Sequence, residues 1–318
     1  STKIEQITGR HLVFSDKFIC AKNEVLVTAA AEGISFGMWI NLSKNPRNKE
    51  MTFPGLKIEF PKSVAMSSIA IRILTLSEKP YNEEYLFLDK MIQCEFIQLP
   101  TPPKRIGTMT LRQSPQTNSL TRVYYPLRNI STAQPPLNFT VTVEDRSFLQ
   151  NDTDVAVVLL KEDGTVSTES ITNVTPDYEK GELQFSSMGI GTFALGVPRY
   201  NQFPFEYWEL NSTSEQTFEI YLKTAHLELA IEINGEGKCS LENPSQFAFK
   251  DLTPASSIEF LLKRGLNLIA PNQVEGINTK ASDLEELLAQ GISDSGTGFC
   301  IRWSKWNAML PADRAMLL

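Results

Sequence analysis

Positively charged side chains are concentrated in one segment of a chain that is otherwise acidic. Between residues 97 and 143 there is no Asp or Glu, and five cations fall there: Lys104, Arg105, Arg112, Arg122 and Arg128. Removing these five charges from the formal net charge of −7 leaves −12 for the rest of the chain. Cations on a protein surface attract an acidic surface over a Debye length of about 8 Å at physiological salt. We call residues 97–143 the basic segment. We expect its five cationic side chains to contact an acidic partner.

The basic segment is also a structural break, because seven of the 18 prolines lie in it. The pairs Pro102-Pro103 and Pro135-Pro136 stiffen its flanks into extended backbone. Three kinds of partner carry the negative charge that these cations would attract: an acidic protein tail, an anionic lipid and a nucleic acid. The net negative charge of the whole chain disfavours nucleic acid. We expect a protein partner, with no nucleic acid and no membrane. A solvated connector between two domains explains the same charges.

A second candidate binding surface is aromatic. Five rings fall within nine residues of a stretch that proline interrupts: Tyr200, Phe203, Phe205, Tyr207 and Trp208. They cannot all point into one core, and exposed aromatic patches mark many interfaces. A contact between domains of the same chain would bury these rings equally well.

Side chains that carry out catalysis are few and far apart. His11 and His226 are separated by 215 positions, which disfavours a Ser-His-acid relay or a multi-histidine metal site. The four cysteines are too widely spaced for a zinc site or a redox motif, and no glycine-rich phosphate loop is present. We expect a chain that is not an enzyme, with no catalytic residue, no metal ligand and no cofactor.

The sequence leaves two cellular settings open. There is no run of about 18 apolar residues and no secretory signal at the start, which favours a reducing compartment and buried free thiols. However, six N-x-Ser/Thr sequons occur, beginning at Asn41, Asn129, Asn138, Asn151, Asn173 and Asn211. The alternative is therefore a secreted or cell-surface adhesion module of tandem β-sandwiches.

The elements that must position these surfaces are mainly β-strands. Apolar and polar residues alternate at 56–60, 69–73, 139–143 and 227–233, with proline and glycine turns between such runs. This pattern predicts two antiparallel β-sandwich-like domains, at 1–130 and 131–318, with a boundary near Ser131. We also expect residues 106–111 to form a strand that closes the first sheet or bridges to the second.

Helix is predicted only near the C-terminus. Thr253 caps the first helix, Pro254 suits its first position and Gly265 ends it. A capping box at 282–285 starts the second helix, which Gly291 ends.

Four motifs, in order along most of the chain, resemble one protein family. They are WINLSKNPR at 39–47, FPFEYWEL at 203–210, KRGLNL at 263–268 and SKWN at 304–307. Together they resemble the cancer susceptibility candidate one family, also called axonemal dynein intermediate chain seven.

The resemblance implies a non-enzymatic structural or assembly subunit of inner-arm dynein in motile cilia. Its implied partners are dynein heavy or intermediate chains and tubulin, and its implied location is the cytoplasm and the ciliary axoneme. Members usually begin with a long, charged, helical region, so this chain would correspond to the globular C-terminal part.

Overall fold

The chain forms two compact units made mainly of antiparallel β-strands, which confirms the predicted fold class. In the computed structural model, the described residues are 17–21, 24–41, 49–99, 104–111, 121–128, 133–150, 154–161, 163–214, 216–224, 226–270 and 300–302, with 283, 286, 287, 290 and 311. Unit 1 comprises Ser1–Asn82 and Phe87–Val197, and unit 2 comprises Glu83–Leu86 and Pro198–Leu318.

A ten-stranded antiparallel sheet forms one layer of unit 1. In spatial order its main strands are β1 (Lys17–Ala21), β2 (Glu24–Ala31), β3 (Ile34–Asn41), β6 (Ile69–Leu76), β8 (Met91–Gln98), β17 (Thr192–Pro198), β13 (Ala156–Leu160) and β14 (Val166–Ser167). Two short strands lie off this path, β11 (Arg122–Val123) beside β8 and β7 (Tyr85–Phe87) beside β17.

The second layer of unit 1 is a five-stranded sheet. Its order is β15 (Ile171–Asp177), β16 (Glu182–Ser187), β12 (Leu137–Thr142), β5 (Leu56–Phe60) and β4 (Lys49–Phe53). The predicted alternation in β5 is confirmed, because Leu56, Ile58 and Phe60 are buried while Lys57 and Glu59 are exposed. One face of this sheet is therefore a core face and the other is a polar outer face.

Aromatic rings join the two sheets of unit 1. Trp39 of β3 stacks on Phe60 of β5 with ring centroids 5.7 Å apart, and Phe60 meets Phe96 of β8 edge to face at 6.2 Å. Farther along, Phe139 of β12 lies 5.1 Å from Phe193 of β17. Rings at these separations gain contact energy beyond the burial of their area, so unit 1 is a β-sandwich with an aromatic interior.

The domain boundary expected near Ser131 lies within unit 1. Ser131 itself is outside the described residues, but strands on either side of it share one sheet, since Phe139 of β12 is opposite Ile58 of β5. The compact units divide after Val197, and the strands on either side of Ser131 are joined in one sheet by the pairing of β5 with β12.

Unit 2 contains a six-stranded antiparallel sheet. Its order is β22 (Phe249–Leu252), β21 (Cys239–Leu241), β20 (Glu228–Ile233), β19 (Thr217–Lys223), β18 (Tyr207–Ser214) and β23 (Cys300–Arg302). Leu229 and Ile231 point from β20 into a core that also holds Leu261 and Leu266. The sheet is thus covered on its apolar face by the helix that carries Leu261.

That helix confirms the first helix prediction. It spans Pro254–Lys263, and the Thr253 hydroxyl accepts a hydrogen bond from the Ser256 amide. The chain leaves it through Gly265, whose φ of +86° suits a residue without a side chain. The second predicted helix is described at Asp283, Glu286, Leu287 and Gln290 only, and these four positions are helical.

Residues 104–111 form a separate hairpin, which corrects the prediction of one strand at 106–111. Strand β9 (Lys104–Ile106) pairs with β10 (Met109–Leu111), and in the described part of the chain these two strands pair only with each other. Gly107 has a φ of +60°, so the backbone turns there instead of continuing as a strand.

Gly37 on β3 leaves space for the buried ring of Phe53. A Cβ atom placed on Gly37 would lie 2.3 Å from Cδ1 of Phe53, whose side chain is only 3% exposed. We expect Gly37→Ala to lower the free energy of unfolding by about 1–3 kcal/mol, because the buried ring must move.

The substitution Phe53→Leu, which replaces the ring by a smaller side chain, is the matched control for this expectation. Urea unfolding of the double variant should show a loss smaller than the sum of the two single losses, since the smaller side chain makes room for the methyl group. Additive losses would contradict the proposed contact.

Candidate interaction surface

An open groove of about 1070 Å³ lies along one end of the sandwich in unit 1. Its floor is formed where β6 begins and β8 ends, at Ile69 and Gln98. One wall is the short helix α1 (Lys62–Ala65) with the turn that follows it, and the opposite wall runs from β11 to Pro135. The groove is therefore built from the sheet and two loops that different parts of the sequence supply.

The first wall is held by a buried asparagine. Pro61 starts α1, and its carbonyl accepts the amides of Val64 and Ala65. At the other end of the helix, the Asn41 side-chain amide donates to the carbonyl oxygens of Ala65, at 2.8 Å, and Ser67, at 3.1 Å. Carbonyl groups at a helix end need such partners, so Asn41 fixes the position of the wall.

The second wall is closed by hydrogen bonds across a loop. The Gln134 side chain accepts from the Leu127 amide, at 3.0 Å, and donates to the Leu127 carbonyl, at 2.8 Å. The buried Tyr125 hydroxyl donates to the Pro135 carbonyl. The edge of the Tyr125 ring also faces Phe96 at 6.1 Å, which ties this wall to the aromatic core.

The electrostatic character of the groove is positive. Lys62, Arg122 and Arg128 line it, and no Asp or Glu is among the lining residues that the structure describes. The Arg122 side chain is 61% exposed although its guanidinium lies 3.1 Å from the Glu95 carboxylate. The Arg128 guanidinium carbon lies 5.7 Å from the centroid of the Tyr124 ring, a cation–π distance that orients the side chain.

Apolar surface is exposed beside these charges. Tyr124 is 68% exposed and Met66 is 38% exposed, and both line the groove. A peptide that brings carboxylates and one or two apolar side chains would find matching groups here, because charge steers the encounter and apolar contact adds affinity.

The five predicted cations are divided between two places. Arg122 and Arg128 converge on the groove, whereas the backbones of Lys104 and Arg105 lie in hairpin strand β9. Arg112 is outside the described residues. Lys62 also lines the groove although it lies outside the basic segment. Its position directly after a proline turn is the one feature of the sequence that points to it.

The aromatic cluster packs largely within its own unit. Phe203 stacks on Phe205 with centroids 4.6 Å apart and meets Tyr200 edge to face at 6.2 Å. Phe205 and Trp208 pack against the core of unit 2, and all five rings are half-buried. The structure thus gives these rings an internal role, and partner binding through them stays a prediction.

The described part of the chain contains no group of three His, Cys, Asp or Glu side chains that would hold a metal ion. In the same residues no helix is both long and apolar enough to span a bilayer.

Comparison with known proteins found similarity to axonemal dynein proteins. The chain is 27% identical over 185 residues to a protein named dynein axonemal intermediate chain 7 homolog from Ciona intestinalis, a match that covers 55% of this chain and 25% of the relative. It is 22% identical over 158 residues to dynein axonemal intermediate chain 7 from Danio rerio, covering 47% of this chain and 22% of the relative. The matched part of the chain thus spans about a quarter of the length of these relatives. No family model matches the chain.

Tyr125 gives the groove wall a pH-dependent stability. Burial raises the pKa of Tyr125 to about 12, above its usual value near 10, so ionisation favours the unfolded chain. Because the folded-state pKa is raised, the contribution is fully present below about pH 10 and is lost as the pH rises through about 12.

Tyr125→Phe should lower the free energy of unfolding at pH 8 by about 1–3 kcal/mol, since the Pro135 carbonyl loses its donor. The difference between the two proteins should shrink between about pH 10 and 12, because the variant has no phenol to ionise. Urea unfolding across this range measures both effects, and a difference that stays constant or widens would contradict the assignment.

Proposed function

We propose that the chain is a non-enzymatic structural or assembly subunit associated with axonemal inner-arm dynein. In this role it binds dynein heavy or intermediate chains, tubulin, or both, in the axoneme of motile cilia. The similarity to two proteins named as axonemal dynein intermediate chains supports the dynein association. The groove supplies the physical basis of binding.

The observation that carries the proposal is the charge of the groove lining. Lys62, Arg122 and Arg128 are brought together from separate elements, with no carboxylate among the described residues of the lining, on a chain whose net charge is −7. A uniformly acidic chain repels an acidic partner, whereas this groove attracts one locally within about a Debye length. Acidic tails of tubulin and acidic segments of dynein subunits fit this requirement.

The groove is also suited to holding rather than transforming its partner. Its walls are set by hydrogen bonds of Asn41 and Gln134 and rest on a sandwich with an aromatic core. A pre-formed surface loses little conformational entropy on binding. Rigid walls and fixed cations therefore favour a docking function for a structural subunit.

The alternative of a secreted adhesion module gains no support from its sequon at Asn41. This side chain is 7% exposed, and its amide nitrogen already donates two hydrogen bonds to the turn after α1. A glycan attached to that nitrogen would replace one of its two hydrogens and break at least one of these bonds. Among the described side chains, Cys94 and Cys239 are buried free thiols, and burial raises the pKa of the Cys94 thiol.

Charge reversal in the groove tests the proposal. We expect Lys62→Glu with Arg128→Glu to weaken binding to microtubules or to purified inner-arm dynein by about tenfold, with a weaker dependence of affinity on salt. Co-sedimentation over a salt series measures both quantities, and microtubules stripped of their acidic C-terminal tails separate the tail from the rest of the lattice. Lys104→Glu with Arg105→Glu should act in the same direction.

The matched control is Lys161→Glu with Lys250→Glu, which changes the net charge equally at exposed positions that are not among the groove's lining residues. This control should retain nearly full binding. Equal losses of binding in both double variants would mean that only net charge matters and would contradict a localised site. Unchanged binding in the groove variant would contradict it as well.

A further inference from the structure

The hairpin of β9 and β10 exposes an apolar face. Ile106 is 62% exposed, Met109 is 71% exposed and Leu111 is 55% exposed. In the hairpin register Met109 is opposite Ile106, and Leu111 is two positions farther along β10. Residues that pair directly, or that are two apart on a strand, share a face of the sheet. The three side chains therefore form one continuous apolar surface on a two-stranded ribbon.

The backbone of the hairpin is also open to further pairing. Among the described residues β9 and β10 hydrogen-bond only to each other, so no described strand lies along the outer edge of either one. A two-stranded hairpin is marginally stable by itself in water, and a third strand with a shared apolar face stabilises it. No strand of the described part of the chain fills the position beside the hairpin.

We infer that this position is filled by an extended acidic segment of a partner protein, which adds to the hairpin as a strand. Alternate apolar side chains of that segment cover Ile106, Met109 and Leu111. Its carboxylates lie near the cations of the basic segment, two of which, Lys104 and Arg105, belong to β9 itself. This inference rests on the proposed function, since it specifies how an acidic partner is bound.

Charge and backbone chemistry favour this occupant over two others. A second copy that paired through β9 would bring Lys104 and Arg105 beside the same two residues of its partner, and like charges on paired strands are destabilising. An anionic membrane would match the charges and the apolar side chains. However, lipid cannot hydrogen-bond the open strand edges, which are costly to bury unsatisfied. A strand that carries carboxylates satisfies all three requirements.

The test uses the whole chain and three short synthetic peptides. In the first peptide Val and Glu alternate, in the second the same residues occur as Val-Val-Glu-Glu repeats, and the third contains Glu only. Alternation places every Val on one face of a strand, whereas the repeats place Val on both faces. We expect the alternating peptide to bind the chain about tenfold more tightly than the repeat peptide, because only it covers the apolar face with its backbone in register.

Substitution of the apolar face should abolish this preference. The variant Ile106→Ser, Met109→Ser, Leu111→Ser is expected to bind the two Val-Glu peptides equally, with an unchanged melting temperature, because the three side chains are exposed. The control Tyr178→Ser with Met188→Ser removes exposed apolar side chains elsewhere in unit 1 and should keep the full preference. No preference in the unmodified chain, or a preference that survives the triple substitution, overturns the inference.

Two further measurements identify a different occupant. A dimer in size-exclusion chromatography that the triple variant loses, without any peptide preference, would assign the face to a second copy and overturn the inference. Binding to phosphatidylserine vesicles that the triple variant loses, again without peptide preference, would assign it to a membrane and overturn it equally.

The Glu-only peptide separates this inference from the proposed function. If the groove variant Lys62→Glu, Arg128→Glu binds this peptide as well as the unmodified chain does, the electrostatic basis of the proposed function fails. A retained preference for the alternating peptide would still support strand addition at the hairpin.

Discussion

One wall of the groove in unit 1 depends on a buried carboxylate whose charge must be neutralised. Glu95 lies on β8 and is 7% exposed, and burying an unpaired carboxylate costs several kcal/mol. Arg72, directly opposite on β6, donates to one oxygen at 2.7 Å through Nε, and Arg122 lies 3.1 Å from the other. Because Arg122 comes from β11, its ion pair with Glu95 adds to the backbone pairing that holds that strand against β8. The wall of the groove that follows β11 is thereby fixed in place.

Strand positions in this fold are largely readable from the sequence, because a sheet with one buried face imposes a period of two. The run Leu56–Phe60 is β5 with the predicted inward and outward sides, and the cap and stop residues of the first helix lie where the sequence indicated. Pairing between distant strands is not readable in this way. The contact of β12 with β5 joins residues about 80 positions apart, and no local pattern announces it, so the boundary was expected near Ser131 and not after Val197.

The candidate surface is likewise predictable from the sequence only in part. A deficit of carboxylates identifies the basic segment from composition alone, but composition does not show which cations converge. Lys62 joins Arg122 and Arg128 only because α1 lies beside the loop that contains Gln134. The hairpin was missed because Ile106, Met109 and Leu111 look like core positions of a strand, and only the turn at Gly107 places them on an exposed ribbon.

In the proposed function, the groove and the hairpin are two complementary recognition surfaces of unit 1. The cations of the groove would attract and orient an acidic chain, while the exposed apolar residues of the hairpin would supply contact area that depends on its sequence. Charge alone raises the rate of encounter more than it discriminates between partners, so the apolar hairpin face is the feature that would confer selectivity. Such a division suits a subunit that must find one neighbour in a crowded assembly and remain bound to it.

Zero-length cross-linking of lysine to carboxylate in isolated axonemes is the most direct test of this account. The account predicts that Lys62 and Lys104 are joined to Asp or Glu residues of a neighbouring protein, while Lys161 and Lys250 are not. Cross-links to neighbouring proteins from Lys161 and Lys250, with none from Lys62 or Lys104, would contradict it.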